Sequence, residues 1–518
     1  MKELWIEEIA DNKEEWSMLF NSFSFLIFFP AVVTVYFLIP RKLRCLWLLA
    51  ASYYFYMSWN AKYALLIAGS TFVTWLSGLL LGMCEEKGSS LAVKKWIVAV
   101  SFTVNLSILV FFKYFDFLLG NVNALLHRFG LQMVEKPFDV MLPAGISFYT
   151  FQALSYTVDV YRKDIRPEKN IIKYALFVSF FPQLVAGPIE RSKNLLVQIE
   201  RMDRPRRREL FDYDRIASGL RMMLWGYFQK MVIADRIAIL VNTVFDSWYF
   251  YGTAVLILGA AAFSIQIYCD FASYSTIALG AAKVMGFDLM ENFDTPYFSR
   301  SIQEFWRRWH ISLSTWFKDY LYIPLGGNRC GRMRRHINIL ITFLVSGLWH
   351  GASWHYVIWG GMHGMFQIIA AQTREIRDRI YERTHTKRDS FSFRFGQRVS
   401  VFLLTTFAWI FFRAESMSQA LGYVGRIFTK PDWWVLTDGT IYRLGLKRME
   451  MNILIFSLAV LFLVSLVKYL GKETLDVFLQ KQCAWFRWGI AAGMFCCIFL
   501  FGIYGPGYDA GQFIYFQF

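Results

Sequence analysis

The chain has 518 residues, of which 56% are hydrophobic and 19% aromatic, and its 55 Lys and Arg outnumber 39 Asp and Glu for a net charge of +16. Only 18% of residues are charged, well below the roughly 25% of soluble domains, so a soluble multidomain protein is excluded. The apolar runs are continuous rather than alternating, which excludes a membrane β-barrel and leaves an all-α, polytopic helical membrane protein.

Residues 1–17 form an extramembrane segment. Glu3, Glu7, Glu8, Asp11, Glu14 and Glu15 face only Lys2 and Lys13 there, the reverse of a secretory n-region. The apolar run begins at Met18, which is also a possible start of translation. Membrane-length apolar windows follow at 18–39, 43–59, 63–83, 96–119, 141–160, 216–242, 253–285, 337–353, 354–372, 399–413, 453–470 and 485–504, giving about 11–13 transmembrane helices. Positive-inside counting places Arg41, Lys42 and Arg44 in the cytoplasm and both termini outside. The window 171–188 is broken by Pro182, Gly187 and Pro188. If it crossed, the basic loop 189–215 would lie outside, so a re-entrant segment buried in protein is expected. The loop 414–452, with Arg443, Lys447 and Arg448, fits the rule less well.

Polar groups inside apolar windows mark candidate wet faces. Ser147, Thr150 and Gln152 lie in the window 141–160. Gln266, Asp270, Ser273 and Tyr274 share one helical stripe in 253–285, where an aspartate must face the bundle interior or water. Helix cross-linking and tunnel lining both account for such groups.

A cytoplasmic insertion is expected at about 286–336. Within it, Ile302, Phe305, Trp306, Trp309, Leu313, Trp316 and Phe317 recur at helical spacing, predicting one amphipathic helix over 301–322 with His310 at the stripe's edge. Gly326, Gly327, Asn328 and Arg329 follow, either a plain tight turn or a phosphate-holding nest on the donor side. His350 lies in Ser346-Gly347-Leu348-Trp349-His350-Gly351, a titratable imidazole in an apolar run. Such a residue is either hydrogen-bonded structure or chemistry. His355 and His363 follow without an HExxH spacing, and no metal site is expected. The seven cysteines show no CxxC spacing and read as small buried residues. The chain ends in an aromatic tail, 505–518, closing on Phe513-Ile514-Tyr515-Phe516-Gln517-Phe518, a candidate interfacial anchor or a tyrosine hydroxyl presented to a site. The positive charge is accounted for by cytoplasmic Lys/Arg bias with anionic lipid, or by attraction of an anionic thioester donor. No nucleic-acid partner is expected.

Together these strings resemble the membrane-bound O-acyltransferase (MBOAT) family, in its bacterial branch of alginate O-acetylation and teichoic acid D-alanylation proteins. The matching motifs are QIYCDFASYSTIALG at 266–280, NFDTPY at 292–297, EFWRRWHISLS at 304–314, DYLYIPLGGNR at 319–329 and SGLWHGAS at 346–353, with FNSFSFL at 20–26 and GPIER at 187–191. Length and wording are nearer the alginate O-acetylase type. The resemblance implies a single membrane domain over 18–504, with a tunnel where a cytoplasmic acyl thioester meets an extracytoplasmic hydroxyl. It implies His350 as catalytic residue and His310 as the second; Gln266, Asp270, Tyr274 and Trp349 stand as candidate tunnel lining, with helix cross-linking as the alternative. No cofactor is bound; acetyl-CoA or an acyl carrier protein is the cosubstrate. It further implies the bacterial inner membrane, an envelope polysaccharide acceptor and a secreted or membrane-anchored SGNH-like acetyltransferase partner. Tyr515 resembles a tail tyrosine of a small D-alanylation partner and is a candidate acyl relay. D-alanyl transfer to teichoic acid, a polytopic transporter and a non-catalytic scaffold are the competing readings. A transporter would show repeats or paired intramembrane charges.

Overall fold

The computed structural model describes residues 18–137, 142–202, 210–504 and 514. The described residues are helical, with no β-strand among them. In hydrocarbon every backbone polar group must be bonded internally, and a helix does so within one segment. Among the described residues six helical stretches are long and apolar enough to cross a membrane: Ala61–Glu86, Leu91–Arg128, Thr253–Met285, Phe391–Arg413, Arg448–Gly471 and Ala484–Phe501. The other expected spans are shorter, as at Phe23–Leu38 and Ile146–Tyr161, or carry polar ends, as at Arg332–His350.

The chain divides into two compact units. Among the described residues the first holds everything up to Met223, the stretch Tyr274–Met290 and Ile514; the second holds Leu224–Ser273 and the residues from Glu291 to Tyr504.

In the first unit, Ala64–Glu86, Leu91–Leu109 and Ile146–Tyr161 pack around small and hydroxyl-bearing side chains. Ser70 donates to Asn105 at 2.5 Å and Tyr174 to Thr74 at 2.8 Å, both buried. The helix Ile171–Ser179 has nine residues, a rise of about 14 Å, less than half the hydrocarbon thickness. The buried chain then turns through Phe180–Gly187. Side chains complete its backbone bonding: Gln152 and Gln183 both donate to Phe177 O, at 2.6 and 2.9 Å, and Phe181 N donates to Ser52 Oγ, while Gln183, Leu184 and Gly187 amides bond within the turn. This gives Gln152 a structural task. Glu190 is fully buried and accepts from Met290 N at 2.5 Å and Asn194 Nδ2 at 2.8 Å. Burial pushes its carboxyl up to about 7, with those donors opposing. Ile514, the one described tail residue, is buried. The segment 1–17, the arginines at 204–208 and Tyr515 lie outside the described residues.

The membrane-length helix Thr253–Met285 begins in the second unit, where a distant loop caps its first turn. Asp432 accepts from Gly252 N at 3.1 Å and Ala254 N at 2.6 Å, placing a carboxylate at the positive helix end. The helices Arg332–His350 and Trp354–Gln372 form a tight hairpin. A Cβ on Gly347 would lie 2.2 Å from Tyr356 O, and one on Gly360 2.2 Å from Phe343 O, so only glycine permits this approach.

Where one amphipathic helix is expected over 301–322, the chain instead makes two short helices, Ile302–Arg308 and Ile311–Phe317, then a π-helical turn at Lys318–Tyr322. Ser301 caps the first by accepting from Glu304 N. The break falls at Trp309–His310, and it is fixed by a partner segment rather than by local propensity.

Candidate active site

His310 sits at that break with φ 44° and ψ 55°, a left-handed conformation unusual for a residue with a side chain. The segment 292–295 holds it there. Ile311 N donates to Asn292 O and Asp294 N to Arg308 O, both at 3.0 Å. Asn292 Oδ1 accepts from Ser312 Oγ at 2.6 Å and from Ser312 N. Thr295, itself left-handed at φ 44°, accepts from Arg308 Nη1 at 3.1 Å. The NFDTPY and WHIS strings are therefore two halves of one clamp. Two strained residues persist because their surroundings over-determine them.

His310 is fully buried. Its ring meets Phe271 edge-on at 4.6 Å, Trp349 at 6.0 Å and His350 at 6.2 Å. Burial lowers its pKa to about 3, so the imidazole is neutral at physiological pH, with one N–H donor and one bare nitrogen.

His350 reaches the same place from a regular element. It is the last residue of Arg332–His350, and the chain turns extended at Gly351. A Cβ at Gly351 would lie 2.2 Å from the Tyr356 ring, so the exit is also closed to larger residues. The His350 ring is 3% exposed. Trp349 and Trp359 flank it at 5.0 Å and Phe412 at 5.6 Å. Trp409 backs this wall, 5.4 Å from Trp359. His350 is the C-terminal residue of its helix, the negative end of the helix dipole. Two imidazoles thus lie ring to ring in an aromatic, water-poor enclosure, an arrangement suited to moving one proton.

The other expected residues are distributed differently. Trp349 belongs to the enclosure. Gln266 is buried in the second unit. Asp270 pairs with Lys230 Nζ at 2.6 Å, and Lys230 also meets Asp235 at 2.8 Å, all three side chains at most 7% exposed. Tyr274 falls in the first unit, stacked on Phe20 at 4.3 Å. Gly326 and Gly327 adopt φ of 111° and 54° in a turn whose amides at Gly326, Gly327 and Arg329 bond internally. The arrangement is that of a tight turn, with Asn328 accepting from Tyr322 and Arg329 exposed. His355 and His363 have structural partners, Phe411 O and the Trp306 indole. Among the described residues no three His, Cys, Asp or Glu side chains are grouped for a metal.

Asn292, Thr295, Phe271, Lys230 and Asp235 are absent from the sequence-derived candidates. Lys230 and Asp235 carried a usable signal: both are charged residues inside the apolar window 216–242.

Residues 102–414 match the family model for MBOAT, the membrane-bound O-acyltransferase family. A probable alginate O-acetylase of Pseudomonas putida is 39% identical over 428 residues, covering 80% of this chain and 81% of that one. A peptidoglycan O-acetyltransferase of Helicobacter pylori is 33% identical, covering 78% of each. A teichoic acid D-alanyltransferase of Streptococcus thermophilus is 29% identical, over 43% of this chain and 56% of that one.

Proposed function

Because this chain belongs to the membrane-bound O-acyltransferase family, we propose that it passes an acetyl group from a cytoplasmic thioester toward hydroxyls of an extracytoplasmic envelope polysaccharide, with His350 as general base on the accepting hydroxyl. The protein is a multi-pass membrane O-acyltransferase and uses an acyl donor as cosubstrate. The observation that carries the finer reading is the pair of buried histidines 6.2 Å apart, delivered by separate segments into one aromatic enclosure.

A thioester is already activated, whereas a protonated alcohol is a weak nucleophile. His350 takes the hydroxyl proton as the oxygen attacks the thioester carbonyl. The helix end behind His350 stabilises the imidazolium that forms. His310, neutral, donates its N–H to the carbonyl oxygen as negative charge develops there. When the tetrahedral intermediate collapses, the C–S bond breaks and the thiolate takes the proton from His350. One O–C bond has replaced one C–S bond, and the proton has moved from alcohol to thiol. The surrounding Trp and Phe side chains exclude water that would hydrolyse the thioester.

The donor, acetyl-CoA or an acyl carrier protein, carries phosphate. The Gly326–Arg329 turn and the exposed Arg332 and Arg334 offer it positive charge at one end of the His350 helix. The bacterial inner membrane, the only membrane with cytoplasm on one side, is the location this reaction needs. Acetyl is favoured over D-alanyl because the acetylating relatives match about 80% of the chain, and the D-alanylating one under half. A secreted SGNH-like acetyltransferase would complete delivery, with Tyr515 as an intermediate carrier; Tyr515→Phe removes only the hydroxyl and should lower polymer acetylation, whereas an unchanged level would reject the relay.

The test of the main reading is His350→Ala in cells lacking the native copy, at equal membrane level. Mass spectrometry of the envelope polysaccharides should show the O-acetyl ester gone. An ester level equal to wild type would sink the assignment.

A further inference from the structure

Lys230, Asp235 and Asp270 take no part in the chemistry above, yet they place three charged groups in the interior of a membrane domain. Asp270 lies in the membrane-length helix Thr253–Met285. Lys230 lies in the π-helical segment Phe228–Ala234, and Asp235 follows directly. Well-packed apolar residues of similar size would hold these helices together at least as firmly, because desolvating charges offsets most of their attraction. What the charges add is register. A slip of one residue along either helix would strand a buried charge without its counter-ion, which in an apolar interior is costly. The π-helical turn adds an extra residue to the helix and re-aims the side chains on it, and Lys230 meets both carboxylates from there.

The residue after Asp270 gives this register a consequence. Successive residues point about 100° apart on a helix. Asp270 faces Lys230, and the Phe271 ring faces His310 edge-on at 4.6 Å. Phe271 also meets Phe293 at 5.0 Å, in the segment that clamps the His310 backbone. Phe271 is fully buried. A displacement of helix Thr253–Met285 at this level therefore moves the surface against which the His310 ring rests.

We propose that the Lys230–Asp235–Asp270 cluster is a positioning device that locks the register of helix Thr253–Met285, so that Phe271 holds His310 in its working orientation. The proposal rests on the reading of His310 as part of the acyl-transfer centre. These residues touch no substrate; they act through Phe271. The sensitivity is that of a preorganised site, where a shift of about 1 Å costs on the order of 100-fold in rate.

The experiment uses the full-length protein in cells lacking the native copy. It follows the initial rate of O-acetyl ester appearance on envelope polysaccharide, per copy of membrane-inserted protein. Asp270→Asn leaves Lys230 paired with Asp235 and should lower the rate about 10- to 100-fold. Phe271→Leu, which changes no charge and serves if Asp270→Asn accumulates poorly, should lower it similarly. The double variant should be no slower than the slower single one, because both changes act through the same ring. A cluster that is merely structural would lower the amount of inserted protein and leave the rate per copy unchanged, which overturns the proposal. Multiplying losses in the double variant overturn it too. His310→Ala separates the two levels: a wild-type rate there rejects the reading of the site. Loss there with full rates in Asp270→Asn and Phe271→Leu rejects only the positioning.

Discussion

His350 and His310 lie 6.2 Å apart, but very different pieces of chain carry them. His350 ends an unbroken 19-residue helix whose hairpin partner approaches through glycines. His310 sits in a left-handed kink between two seven-residue helices, held by bonds from a segment about 15 residues upstream. The difference shows where each site spends conformational free energy. The helix end places His350 with ordinary backbone, at the negative end of the helix dipole. The kink places His310 against its own preference and depends on the clamp.

The comparison breaks most visibly at the clamp. Asn292→Ala removes the buried acceptor for Ser312 N and Oγ, and loss of a buried hydrogen-bond partner costs about 1–3 kcal/mol. Because His310 is the residue so held, acetylation per copy of protein should fall about 10- to 100-fold, read as O-acetyl ester on the polymer. A full rate would mean that the kink holds without Asn292. On the His350 side, Gly351→Ala drives a Cβ to within 2.2 Å of the Tyr356 ring. Overpacking of this kind costs about 1–3 kcal/mol, so the apparent melting midpoint of the purified protein should fall. An unchanged midpoint would show that Tyr356 yields freely.

The smallest effect concerns pH and contrasts the two units. The folded pKa of His310 is depressed to about 3, so between that value and about 6.5 the unfolded chain binds the extra proton, and stability falls on acidification. Glu190 has its folded pKa raised to about 7, so its contribution is present below the unfolded value of about 4.5 and is lost as pH rises through 7. Between pH 7 and pH 5, His310→Gln should therefore lose less melting midpoint than wild type, and Glu190→Gln should lose more. Shifts of the same sign in both variants would contradict this assignment.

How much of this was legible in the sequence depended on where the cause lay. The helical membrane class and the placing of His350 at the end of an apolar run followed from hydropathy and glycine spacing, which are local. The window 171–188 is a nine-residue helix followed by a turn, a break that Pro182, Gly187 and Pro188 mark locally. The break at His310 was not legible, because the apolar spacing over 301–322 satisfies one continuous helix. What interrupts it is Asn292, and pairing between segments leaves no periodic mark. Asp270 stood out as an intramembrane carboxylate. Its counter-ion Lys230 carries the same signal, but it shares the window 216–242 with Arg221, Asp235 and Arg236, and hydropathy does not say which of these charges pair. Family motifs carried the functional expectation further than physics alone, since they joined His310 and His350 before any contact between them was known.

The central claim is that His350 supplies the base and His310 assists without titrating. The most direct measurement is the pH dependence of acyl-thioester consumption by the purified full-length protein in lipid vesicles, comparing wild type, His350→Ala and His310→Gln. His350→Ala should lose on the order of 100- to 10,000-fold at every pH, while His310→Gln should be slower but keep the acid limb of the wild-type profile. A His350→Ala protein that consumes the thioester at the wild-type rate, or an acid limb that vanishes with His310, would contradict the claim.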